Sequence, residues 1–173
     1  YENQKTPLIN HLIADQQEYK SILVFTSTKK KVSDIVRGLR NKNYRVEAIS
    51  SDFEQSKREE IMVDFRANKI RVLVATDVIS RGVDIPAIDL VINYDAPGNA
   101  EEYVHRIGRT GRAGAEGVAL TLINQLDMEK FDAIEKLIEK KVYRAPMPDF
   151  LGEGPEWKVR SNRNPQRKKP FRK

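Results

Sequence analysis

Five short apolar runs most constrain what this chain can fold into: SILVFT at residues 21–26, VEAIS at 46–50, RVLVAT at 71–76, LVINY at 90–94 and VALTLI at 118–123. Each is strand-length and rich in β-branched residues. Most are almost continuously apolar rather than alternating, the pattern of strands covered on both faces. Helix-period segments lie between several of them. Residues 29–42 set Val32, Ile35, Val36 and Leu39 on one stripe, and residues 55–65 do so with Ile61, Met62 and Phe65. Residues 127–140 repeat the pattern with Phe131, Ile134, Leu137 and Ile138. An opening helix is expected over 7–19, capped by Thr6 with Pro7 at its first position. The class is α/β, a mostly parallel sheet with helices on both faces.

After Tyr143 the periodicity fails, and Pro146, Pro148, Gly152, Gly154 and Pro155 punctuate the chain. A domain is expected over residues 1–148, followed by a basic, disordered tail over 149–173. Charge supports that division. The formal charge is +6, yet eight of the 31 lysines and arginines lie between Trp157 and Lys173, where no acid occurs. The remainder carries 23 basic against 25 acidic residues and is close to neutral. Cysteine is absent and only His11 and His105 are histidines, so no disulfide, thiolate site or histidine-rich metal site is expected. No membrane span or signal peptide is apparent, and a soluble cytoplasmic protein is the default.

In open α/β sheets, ligands bind beyond the carboxyl ends of the strands. The residues there are Ser27, Thr28 and Lys29; Ser51, Asp52, Gln55 and Arg58; and Thr76, Asp77, Ser80, Arg81, Gly82 and Asp84. Hydroxyls beside a cation suit phosphate oxygens. They suit helix caps and turns equally well. The stretch YVHRIGRTGR at 103–112 is more pointed. Arg106, Arg109 and Arg112 recur every third residue, with Gly108 and Gly111 between them. Glycine costs about 1 kcal/mol in a helix interior, so a bland helical face would not carry two. A planar guanidinium fork suits phosphate, though a plain basic turn is the alternative.

These residues resemble the DEAD-box ATP-dependent RNA helicases. RVLVATDVISRGVDIP at 71–86 followed by YVHRIGRTGR resembles motifs V, Va and VI of the C-terminal RecA-like, P-loop-NTPase-type domain. SILVFTSTKKK resembles motif IV, and Gln55 with Arg58 matches the QxxR pattern. His105, where DEAH-type relatives have glutamine, favours the DEAD-box branch. Ser50 and Ser51 depart from a common His-Gly before Asp52.

The resemblance implies that Arg109 and Arg112 are arginine fingers for ATP, that Asp84 contacts the ribose, and that His105 couples the nucleotide to RNA. It implies that Thr28, Arg58, Thr76 and Gly82 grip the RNA sugar-phosphate backbone. No GxxxxGK[ST] loop and no Asp-Glu pair occurs, so ATP and Mg²⁺ are expected on an N-terminal RecA-like partner domain. The chain is accordingly expected to be a fragment, inactive alone as ATPase or helicase. The rival is a non-catalytic RNA-binding or annealing module acting through the basic tail.

Overall fold

The computed structural model describes residues 1–15, 17–39, 44–76, 88–111 and 117–158. Each apolar run forms a strand: β1 (Ile22–Phe25), β2 (Val46–Ile49), β3 (Val72–Ala75), β4 (Leu90–Asn93) and β5 (Val118–Thr121). They form one sheet in the order β2-β3-β1-β4-β5, and every neighbouring pair is parallel. Burial follows this order. The inner strands β3, β1 and β4 are buried at every residue, whereas the edge strands β2 and β5 are partly open.

The helices are α1 (Glu2–Leu12), α2 (Lys29–Leu39), α3 (Gln55–Arg66), α4 (Ala100–Ile107) and α5 (Met128–Leu137). Successive strand residues point to opposite faces, and two cores result. Ile22 and Val24 of β1 join Ile9 of α1 and Ile13 just after it with Val32, Ile35 and Leu39 of α2. Leu23 and Phe25 join Ile61, Met62 and Phe65 of α3 on the other face. Burying each such side chain contributes about 1.5–3 kcal/mol. A third cluster seats α4 on α5 through Tyr103, Phe131 and Ile134. The doubly covered parallel sheet is therefore as expected, while α4 was not marked out by apolar periodicity.

Three details differ from the sequence pattern. The opening helix begins at Glu2, with Pro7 inside it rather than at its start. It ends early because Ile9 and Ile13 are drawn into the core and Arg71 claims the backbone beyond them. The Arg71 guanidinium donates to the carbonyls of Ile13, Asp15 and Tyr19 at 2.7, 2.8 and 2.8 Å. In α5, Leu137 is 71% exposed, and Glu135 is buried in its place. The final difference lies beyond Pro148, where residues 149–158 still pack on the domain. Asp149–Leu151 form a 3-10 turn, and the carbonyl of Leu151 accepts a 2.7 Å bond from Gln4 Nε2. Trp157 meets Phe131 edge-on at 6.4 Å, and Arg144 lies 3.9 Å over the Trp157 ring. The expected extension of α2 to residue 42 and the basic run from 159 onward lie outside the described residues.

Candidate functional site

The residues singled out in the sequence divide between two ends of the sheet. At the carboxyl end, Thr28 follows β1, Ser50 to Asp52 follow β2, and Thr76 follows β3. Thr28 is exposed, and its Oγ1 accepts the backbone N–H of Lys31 at 3.2 Å, so it caps α2. Lys29 and Asp52 form an ion pair that ties the first two loops together. The Ser-Ser variant of the second loop closes by itself: Ser50 Oγ and its carbonyl accept the N–H groups of Asp52 and Phe53 at 3.3 and 3.2 Å. On α3, Arg58 is half-buried and donates to Gln55 Oε1 at 3.2 Å, so the two ends of the QxxR pattern meet. Arg58 Nε has no hydrogen-bond partner among the described residues. Thr76 is half-buried directly after β3.

The arginine motif lies on α4 and the residues after it. Asn99 caps this helix, its side chain accepting the N–H of Glu102 at 2.9 Å, and Glu101 and Glu102 favour the positive helix N-terminus. The helix starts at the carboxyl end of the sheet and runs back for about 12 Å. Its far end is pinned to the amino end of β4. The N–H of Ile88 donates to the Arg109 carbonyl at 3.1 Å, and Ile88 bridges Thr110 in a parallel pairing.

The glycines belong to this exit rather than to the helix interior. Gly108 is the C-cap, and Gly111 has φ of +67°, a left-handed conformation that disfavours a side chain. Gly117 passes close by: a Cβ there would lie 1.7 Å from Thr110 Oγ1 and 2.4 Å from the Gly111 nitrogen.

The three evenly spaced arginines thus separate in kind. Arg106 is 2% exposed and turns inward. Its NH1 donates to Asn93 Oδ1 and to the Asp95 carbonyl, both at 3.2 Å, with the guanidinium 5.3 Å over the Phe25 ring. Arg109 is half-buried, and His105 is exposed on the last turn of α4. Arg112, Gly82 and Asp84 lie outside the described residues.

The loop after β4 is not among the three post-strand loops that the sequence marks out. There Asp95 is buried, although burial alone would raise its pKa. Hydrogen bonds from Lys31, the Ser27 N–H, and the Thr26 and Ser27 hydroxyls outweigh burial and hold the carboxyl well below the usual range. The same post-strand rule, applied to LVINYD, would have found it. Among the described residues, no group of three or more histidines, carboxylates or cysteines could hold a metal ion. No described helix is long and apolar enough to cross a membrane.

Residues 4–114 match the helicase conserved C-terminal domain. ATP-dependent RNA helicase dbp8 of Emericella nidulans is 48% identical over 123 residues, which are 71% of this chain and 23% of that protein. Across the leading curated relatives the chain spans between 23% and 35% of their length. The E. coli DEAD-box protein SrmB, solved bound to regulator of ribonuclease activity A, superposes with a TM-score of 0.80 at 32% identity, covering 93% of this chain and 92% of that one. S. cerevisiae Dbp5 bound to RNA and ADP BeF3 superposes with a TM-score of 0.69 at 32% identity, covering 78% of this chain and 36% of the other.

Proposed function

Because this chain belongs to the DEAD-box RNA helicases, as their C-terminal RecA-like domain, we propose that it works as half of an ATP-dependent RNA helicase, completed by an N-terminal RecA-like domain. The observation that carries this is the placement of α4, which begins at the carboxyl end of the sheet, the end that bears Thr28 and Thr76, and leads Arg109 to the amino end of β4. One end of the domain serves RNA and the other serves nucleotide.

Thr28, Arg58, Thr76 and Gly82 hold the sugar-phosphate backbone of RNA, which carries no base information. The hydroxyl of exposed Thr28 and the guanidinium of half-buried Arg58 have the chemistry for that task. Arg109 and Arg112 approach the γ-phosphate of ATP from the side facing the partner domain, and Asp84 meets the ribose. Arg109 suits the role because its backbone is pinned on both sides, which fixes the origin of a long side chain. ATP supplies a phosphoryl group whose transfer develops charge that a guanidinium stabilises. The metal that accompanies ATP is assigned to the partner domain because this chain carries no GxxxxGK[ST] loop and no Asp-Glu pair. His105, exposed between the two ends, couples them.

The test is Arg109→Ala in a two-domain protein carrying this chain. RNA-stimulated ATP turnover is expected to fall about 10³-fold or more, with nucleotide affinity changed less than about threefold. Wild-type turnover in that variant would refute the finger role.

A further inference from the structure

Among the described residues, the most heavily bonded polar side chain at the carboxyl end of the sheet belongs to neither surface just assigned. Asp95 Oδ2 accepts Thr26 Oγ1 at 2.7 Å, and both the N–H and the hydroxyl of Ser27 at 2.9 Å. Its Oδ1 accepts Lys31 Nζ of α2, and Lys5 Nζ of α1 lies 3.6 Å away. Lys5 is itself buried and donates to the Tyr94 carbonyl at 2.7 Å. The Asp95 carbonyl receives Arg106 from α4. A single residue therefore holds the loop after β1, two helices of one face and the helix that carries the arginines.

Stability alone would not require this. A buried ionic cluster is often no more stabilising than apolar residues of similar volume, because desolvation offsets the attraction. A fully satisfied polar cluster does fix one geometry, since moving any member leaves a buried donor or acceptor unpaired. The neighbours show which geometry is fixed. Ser27, with two donors ending on Asp95, immediately precedes Thr28. Arg106, ending on the Asp95 carbonyl, is joined to Arg109 by the Arg109 N–H to Arg106 carbonyl bond of 3.1 Å.

We propose that Asp95 is a positioning residue that fixes the loop carrying Thr28 to the helix carrying Arg109, so that RNA engagement at one end of the sheet sets the arginine at the other. The proposal rests on the assignment of those two residues to RNA and to nucleotide made above. It concerns transmission between them, not contact with either ligand.

The test uses Asp95→Asn in a two-domain protein carrying this chain, with a single-stranded oligouridylate as the RNA. A hydrogen bond to a charged group is replaced by weaker neutral ones, so turnover at saturating RNA is expected to fall about tenfold. RNA-free turnover should stay within about twofold, and the Ser27 amide should exchange about tenfold faster while β1 amides keep their protection. Thr26→Val, which removes one hydroxyl donor and no charge, should show the same split at about threefold and serves if the first variant does not fold. An Asp95→Asn protein stimulated by RNA like wild type overturns the proposal. So does a parallel fall of both rates with lost protection across β1, the mark of a merely structural role. A wild-type protein with no RNA stimulation at all would instead overturn the helicase assignment and the coupling with it.

Discussion

Asp95 and Glu135 are both buried carboxylates that receive several donors, yet they join different things. Asp95 sits in the ligand-facing end of the sheet, and its partners Thr26, Ser27 and Lys31 come from sequence about 65 to 70 residues away. Glu135 lies on α5, and its partners are Lys141, Arg144 and the Val142 N–H, all within nine residues. The first is a long-range knot between the elements that carry the site. The second is a local clasp that turns the chain back over α5, where Trp157 can reach Phe131. Two pockets of similar chemistry thus serve opposite ends of the problem, one holding a site together and the other holding the chain to the fold.

The sharpest way to break this comparison is Asp95→Ala. It removes the acceptor of buried Thr26, of Ser27 and of Lys31, while Lys5 keeps Glu2 and the Tyr94 carbonyl, and an unfolding cost of about 3 kcal/mol is expected by denaturant titration. A cost no greater than that at Glu135 would erase the distinction. Glu135→Gln should cost less, about 1–2 kcal/mol, because Lys141 and Arg144 are exposed enough to be solvated when released.

That substitution also has a pH signature. Burial would raise the Glu135 pKa, but the Lys141 bond and the Val142 N–H lower it. A depressed folded-state pKa means that its stabilisation is complete above the ordinary glutamate range and is lost as pH falls through the folded value. Glu135→Gln should therefore narrow the gap to wild type on acidification, read as melting temperature against pH. The smallest effect belongs to Leu137→Ser, a few residues' turn away on the same helix. Its exposed side chain should make the change worth no more than about 0.5 kcal/mol.

The strands were legible because continuous apolar runs have few other uses in a chain this polar, and α2 and α3 because Val32, Ile35 and Ile61 keep one stripe. The limit of α1 was not legible. Its end depends on Arg71, a residue some 60 positions away whose guanidinium takes the carbonyls that a longer helix would have used. Leu137, expected on the apolar stripe, is exposed, while Glu135 is buried against donors from beyond α5 that a periodicity count does not see. The arginine motif was found, but not the inward turn of Arg106, since even spacing conceals which of three identical side chains meets Phe25 and the Asp95 carbonyl. The post-strand position of Asp95 was legible in LVINYD, but its partners were not, since only folding brings Ser27 and Lys31 to it.

Gly117 carries a last consequence. Where the start of β5 passes the exit of α4, there is no room for even one methyl group against Thr110 and the Gly111 nitrogen. In a library of random variants, that position should be a blank column beside the freely varying exposed ones. The seat of the arginine segment is guarded there by an atom that is not present.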